Sequence, residues 1–251
     1  MIWDSFTYNG ETDLLNIRMA ELSEMDATHI AVEGSVTFTN KPKPYFHQER
    51  ERFAHFWVDD MPDGNNPWER EKFQRNKILE LLKFMCAGDD DLVIISDADE
   101  VPNIQAVRAY RPEMGIAALV QNKYGYWLNC EEGHQSWARA KIMTYAILKQ
   151  STPDVIRNAG QDTLIHNGGW HWSYLGGVDA IMKKLDSFSH QEVNTPTLNN
   201  REVLEHKLAT GQSLWSNKDD DLWRFVPIDA SFPRYVQEHQ HDSLKHLIKP
   251  L

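Results

Sequence analysis

The helix–strand succession NPWEREKFQRNKILELLKFMCAG then DDDLVIISDADE, residues 66 to 100, most restricts the fold. Asn66 stands at an N-cap position, Pro67 fits the first turn, acids follow early, and Gly88 sits just past the last turn, so the spacing predicts a helix. The run Leu92–Ile95 has no polar alternation, as expected of a strand buried on both faces. Upstream, MIWDSFTY, THIAVEGS and RFAHFWVDD read as strands. ETDLLNIRMAEL, with apolar residues at Leu14, Leu15, Ile17, Met19 and Leu22, reads as an amphipathic helix. This alternation predicts an α/β fold with a mostly parallel sheet between helices. Ligands of such sheets bind at the carboxyl ends of the strands, where Glu33, Asp59 and Asp97 fall.

The second half is less regular. MGIAALVQNKYGYWLNC suggests one or two strands, WARAKIMTYAIL a strand pair, and HNGGWHWSYLGG a loop rich in Gly and Trp. VDAIMKKLDSF and NREVLEHKLATG read as helices. With no internal repeat or linker, one domain with a C-terminal elaboration is expected over 1–251.

The net charge of −11 lacks the basic excess of a nucleic-acid binder. No stretch approaches the ~20 apolar residues of a membrane span. The start MIWDSFTYNGETDLL lacks a basic region followed by an apolar one, so a soluble, cytoplasmic chain is expected. Cys86 and Cys130 lack the spacing of a zinc site or a disulfide framework. The 9 Trp suit either a large aromatic core or stacking on sugar rings.

LVIISDADEVP drives a buried strand into Asp97, Asp99 and Glu100. In an extended segment residues two apart share a side. Two carboxylates there suit a hard divalent ion, Mg²⁺ or Mn²⁺, whose shell phosphate oxygens and water would complete. A nucleotide diphosphate is then a natural partner. The plain alternative is an acidic turn whose side chains cap backbone N–H groups.

Five segments occur in order: DSFTYNGETDLLNIRMAEL, VEGSVTFTNKPKPYF, NPWEREKFQRN, VIISDADEVP and GGWHWSYLGG. Together, over roughly residues 3 to 192, they resemble the bisecting-GlcNAc transferases, the β-1,4-mannosyl-glycoprotein β-1,4-N-acetylglucosaminyltransferase family. The Arg75-Asn76 pair before the D-x-D also resembles GT-A glycosyltransferases. The resemblance implies a GT-A fold with a nucleotide-binding half (1–110), an acceptor and donor-sugar half (111–195) and a C-terminal elaboration (196–251). It implies inverting, Mn²⁺- or Mg²⁺-dependent transfer of a sugar from a nucleotide diphosphate, UDP-GlcNAc foremost, to a glycan hydroxyl. Lacking the anchor and stem of animal members, the chain resembles a soluble bacterial or viral relative.

Roles follow as the resemblance implies them. Asp99 would bind the metal, and Asp97 the ribose or, through water, the metal, with Glu100 orienting either. Glu33 would face the base or ribose. Arg75 would meet the diphosphate or position Asp97, while Arg70 reads as a partner of acids on its own helix. Gly168 and Gly169 would let backbone approach the ligand, and Trp170 and Trp172 would wall the donor sugar. The late metal ligand would be His171 or His190, with His166 third. The base is sought among Glu192, Asp179 and Asp162, and acceptor contacts among Tyr126, Trp127, Asn129 and Lys43. Two other functions stay open: a metal-dependent phosphoesterase or nucleotide-sugar hydrolase, and a non-catalytic carbohydrate-binding protein.

Overall fold

A computed structural model describes residues 1–251 except 47–48, 161–162 and 216–221, and except the side chains of 134–135. In chain order the elements are β1 (Ile2–Thr7), α1 (Thr12–Leu22), β2 (Ala27–Gly34), β3 (Phe53–Val58), α2 (Pro67–Phe84), β4 (Leu92–Asp97), β5 (Glu100–Pro102), α3 (Ile104–Ala109), β6 (Ala117–Gly125) and β7 (Cys130–Trp137). Then come β8 (Lys141–Thr144), α4 (Tyr145–Leu148), α5 (Pro153–Asn158), β9 (Thr163–Ser173), α6 (Gly177–Ser187), α7 (Arg201–Thr210), β10 (Arg224–Phe225) and α8 (Arg234–His239).

The protein is α/β, with a large central sheet between helices. The sheet runs β10-β7-β6-β8-β4-β1-β2-β3, and β9 lies along the other edge of β6. β4, β1, β2 and β3 pair in parallel, as do β6 and β9, whereas β8 is antiparallel to both β4 and β6. The central strands alternate between two buried faces. Val93 and Ile95 pack with Ile78 and Leu82 of α2, while Ile94 packs with Leu22 at the end of α1. That explains the unbroken apolar run in β4.

α2 starts where its sequence signals it: the Asn66 side chain accepts from the Trp68 N–H at 3.1 Å, with Pro67 in the first turn. Two expectations change. HNGGWHWSYLGG is mostly strand, because its first eight residues complete β9, wedged between β5 and β6. In WARAKIMTYAIL the strand Lys141–Thr144 passes directly into the short helix α4, so the segment is not a strand pair.

One buried cation joins these parts. Arg18 of α1 is fully buried and uses all five of its N–H donors. It binds Asp4 of β1 through Nε (2.6 Å) and Nη2 (2.5 Å), and Ser96 Oγ of β4 at 2.5 Å. Nη1 donates to the carbonyls of Asp97 (3.1 Å) and Glu100 (2.9 Å). Asp4 also meets His29 Nδ1 at 2.8 Å. Burial opposes the charge on Asp4, but Arg18 and His29 outweigh it and hold the carboxyl well below the usual carboxylate range.

Arg18→Met would strand the Asp4 charge and both carbonyls. Loss of roughly 3–5 kcal/mol is expected in urea unfolding, against a core substitution of ordinary cost elsewhere. Because the Asp4 pKa is depressed on folding, its stabilisation is present above about pH 4 and is lost as pH falls below that. Melting temperature against pH should therefore drop on the acid side for the wild type and drop less for Asp4→Asn.

Candidate active site

The carboxyl ends of β1, β2 and β4 open into a cleft of about 900 Å³, walled on the far side by β6, β7, β9 and α6. That volume is in the range of small-molecule sites. Asp97 and Asp99 both line it, but they do not project from one extended strand. β4 ends at Asp97, and Ala98 and Asp99 form a turn before β5.

The two aspartates therefore have different surroundings. Asp97 accepts from Thr7 Oγ1 (3.0 Å) and Arg75 Nη2 (3.2 Å) on one oxygen and from Arg157 Nη2 (2.5 Å) on the other. Burial opposes its charge, yet Arg157 and Arg75 hold its carboxyl far below the usual range. Arg157, from α5, also grips Glu100 through two bonds of 2.6 Å. Glu100 is fully buried, accepts from the Asp97 N–H at 2.9 Å, and is bonded by Trp137 Nε1. It is the buried counter-charge that fixes the turn. Arg75 completes the network through Glu71 and Asp154, each at 2.6 Å.

Asp99 faces the other wall. Its Oδ2 accepts from Lys184 Nζ of α6 at 2.7 Å, and its Oδ1 lies 3.8 Å from His171 Nε2 of β9. Burial raises the Asp99 pKa, but Lys184 and His171 outweigh it and the net shift is downward. Burial also lowers the pKa of His171, with Asp99 offsetting it only in part, so the neutral imidazole is favoured. The ring is pinned flat on Trp137, with centroids 4.5 Å apart, and its buried Nδ1 has no hydrogen-bond partner among the described residues. Lys184 is pushed above the ordinary lysine value because Asp99 overcomes its burial.

Among the described residues no group of three or more His, Cys, Asp or Glu is arranged to hold a metal ion. Asp99 and His171 are the pair nearest to such an arrangement. Adjacent ligands of an octahedral Mg²⁺-like ion stand about 3.0 Å apart, so this pair, at 3.8 Å, would have to close by under about 1 Å to hold one. Asp97 does not fit as a direct ligand, since both its oxygens are taken by cations and Thr7.

Several expected residues lie elsewhere. Glu33 is fully buried under Lys43 Nζ (2.7 Å), His55 Nε2 (2.8 Å) and the Phe46 N–H, outside the cleft lining. Lys43 does line the cleft but is tied to Glu33 and to Asn9 Oδ1. Asp59 is exposed beyond β3. Gly168 and Gly169 serve the sheet: a Cβ would meet Leu119 backbone at 2.5 Å on the first and the Val101 carbonyl at 2.0 Å on the second, where φ is +132°. Trp170 stacks on Trp172 at 5.8 Å and donates to the Ser231 carbonyl, holding the C-terminal segment. Of these two, only Trp172 reaches the cleft.

Tyr126 is buried on Trp223 and donates to the Gln212 carbonyl, and Trp127 donates to the Leu208 carbonyl. The buried Asn129 brackets residues 226 and 249 through its amide. None of these three lines the cleft. Asp179 pairs with Arg201 in solvent, and Glu192 pairs with His190 at 2.6 Å; neither carboxylate reaches the cleft. His190 stands at its rim against Trp68, and His166 is exposed away from it. Asp162 lies outside the described residues. Arg70 is not on a solvated face: it is buried and donates to the carbonyls of Phe38 and Gly64 at 2.7 Å. Sequence reading passed over Arg157, Lys184 and Trp137. Lys184 sits in a segment read as an ordinary helix, Arg157 in a stretch given no element, and Trp137 at the start of the expected strand pair, so no local signal marked them.

The fold and cleft are those of α/β proteins that take ligands at the carboxyl ends of parallel strands. Within that class, the chain belongs to glycosyltransferase family 17, whose family model matches residues 1–237. The match extends past the residues read from sequence, roughly 3 to 192, and includes α7 and most of α8. Among curated proteins the chain is similar to the human and rat β-1,4-mannosyl-glycoprotein 4-β-N-acetylglucosaminyltransferases, at 25% identity over 39% of this chain and 21% of each relative. The matched part is thus about a fifth of those relatives' length. A solved structure of 4-diphosphocytidyl-2C-methyl-D-erythritol synthase aligns over 74% of this chain and 99% of its own at 14% identity and a TM-score of 0.36, too distant to bear on function.

The network makes a contrast testable by chemical denaturation. Glu100→Gln leaves Arg157 partly uncompensated in the interior and should cost about 3 kcal/mol or more. Asp99→Asn weakens the partly exposed Lys184 pair and the 3.8 Å contact with His171, and should cost about 1 kcal/mol.

Proposed function

We propose that this protein transfers a sugar, GlcNAc from UDP-GlcNAc, to a hydroxyl of a glycan acceptor with inversion at the anomeric carbon. The single observation that carries this reading is the Asp99–His171–Lys184 cluster at the carboxyl edge of the sheet, in a chain of glycosyltransferase family 17. The relatives' names supply the sugar and the β linkage. Starting from an α-linked sugar nucleotide, a β product requires inversion.

In the reaction the acceptor oxygen forms a bond to the anomeric carbon while the bond from that carbon to the diphosphate oxygen breaks, and the electron pair leaves with UDP. The acceptor proton passes to a base. Charge on the leaving diphosphate must be neutralised, and Lys184 stays cationic in the cleft for that task. A divalent ion, Mn²⁺ or Mg²⁺, would be held by Asp99 and His171 and would supply further charge neutralisation when bound. Asp97 has a different role: with Arg75, Arg157 and Thr7 it holds the floor of the site. Among the described residues, three further carboxylates line the cleft outside that network and the Asp99 pair, and of these Asp13 is paired with His246, which leaves Glu11 and Glu132 as candidates to take the proton. Glu11 follows β1 and has its pKa raised by burial, and Glu132 of β7 pairs with Lys123 at 2.7 Å.

UDP-GlcNAc with Mn²⁺ should raise the melting temperature of the wild type, since ligands of the folded state stabilise it. Asp99→Ala should lose transfer by a factor of about 10³ while remaining folded, a loss of roughly 4 kcal/mol in transition-state stabilisation. His171→Ala should raise the Mn²⁺ concentration for half-maximal shift roughly tenfold or more. An Asp99→Ala enzyme of full activity sinks the reading. Rapid release of free sugar without acceptor, at turnover matching transfer, would favour the hydrolase instead.

A further inference from the structure

The cleft has a lip that the transfer chemistry does not use. Trp68, in the first turn of α2, is 45% exposed although it is among the largest apolar side chains. Its ring meets His190 edge-on at 4.5 Å, and His190 lies 5.8 Å from Phe188. Farther along, Val193 and Trp215 border the same cleft, and Trp215 is 49% exposed with its ring edge-on to Tyr174 at 5.7 Å. All six residues line the cleft. The lip is therefore assembled from four separate segments: the start of α2, the stretch between β9 and α6, the stretch after α6, and the stretch after α7.

Two features set these tryptophans apart from the others. Trp3, Trp170, Trp172 and Trp223 are buried in the core. Trp68 and Trp215 instead keep about half their surface in water, which core packing does not require and solubility disfavours. Each also meets a neighbouring ring at a steep angle, which restrains its plane while about half of its surface stays exposed. A restrained, half-exposed aromatic ring with polar neighbours suits a ligand having one flat C–H face and a hydroxylated edge. A pyranose has that shape.

We propose that Trp68 and Trp215 form a saccharide-stacking subsite that grips the glycan acceptor at the mouth of the cleft, away from the sugar that reacts. Its occupant is an oligosaccharide, because the lip is continuous with the cleft and its exposed faces are aromatic, not aliphatic. His190, paired with Glu192 at 2.6 Å, stands beside Trp68 and offers a hydrogen bond to ring hydroxyls at the same edge. The inference rests on the transferase reading for what enters the cleft, and it replaces Tyr126, Trp127 and Asn129 as the acceptor contacts.

The test is binding of the full chain to an array of oligosaccharides, wild type beside Trp68→Ala and Trp68→Phe. The side chain of Trp68 caps nothing and leaves the Asn66 bond to its backbone intact, so Trp68→Ala should melt within a few degrees of wild type. Wild type should retain a set of glycans, Trp68→Ala should bind them about tenfold more weakly, and Trp68→Phe should recover part of the loss. Trp215→Ala should weaken the same set. Equal binding by wild type and Trp68→Ala overturns the proposal, as does a wild type that retains no glycan. A protein that binds glycans through Trp68 yet shows no thermal shift with UDP-GlcNAc and Mn²⁺ keeps the lip and overturns the transferase reading. The reverse pair of results keeps the transferase and overturns the lip.

Discussion

Arg18 is the constraint on which the site depends. A guanidinium buried in a low-dielectric interior is tolerated only when its donors are all satisfied and a counter-charge lies beside it. Asp4 supplies the charge from the central strand, and Ser96 with the carbonyls of Asp97 and Glu100 takes the remaining donors. Because those two carbonyls bracket Ala98 and Asp99, one helix residue sets the conformation of the whole acidic turn. The turn is held from below by backbone contacts, which leaves its side chains available to the cleft.

The carboxylates above that turn are divided by partner. Asp97 and Glu100 are absorbed by Arg75 and Arg157, which come from helices on the α2 face of the sheet. Asp99 turns toward β9 and α6, where its partners are a lysine and an imidazole. Repulsion among the acids is thereby converted into two separate attractive clusters. The first cluster is the more densely bonded, with Arg157 pairing bidentately with Glu100. The second has fewer bonds, one of 2.7 Å and one contact of 3.8 Å, and an incoming diphosphate or cation can compete for its members.

Much of the frame was legible because its signals are local. The Asn66–Pro67 start of α2, the apolar run of β4 and the apolar face of α1 each follow from spacing within one element, and each appears where expected. The site was legible only in part. Asp99 and His171 were read from a short motif and a resemblance, and the fold brings them to one wall. Glu33, Gly168, Gly169, Trp170, Tyr126 and Asn129 looked equally suitable, yet each is spent on internal contacts. The physical difference is one of pairing across the chain. Glu33 is claimed by Lys43 and His55, and Gly169 by the Val101 carbonyl, and no property of the residue itself shows who will claim it.

The same reasoning explains why Arg157 and Lys184 escaped notice and why they matter. A cation on an amphipathic helix is ordinarily solvated, so its sequence position is silent. Here each is drawn inward by a carboxylate from LVIISDADEVP, 60 residues away for Arg157 and Asp97 and 85 for Lys184 and Asp99. The acidic motif therefore does two tasks that its spacing disguises as one. Its first and last acids recruit an arginine to build a floor, and its middle acid recruits a lysine and a histidine to face the ligand. A D-x-D-E segment in which all three acids served the ligand would have no floor to stand on.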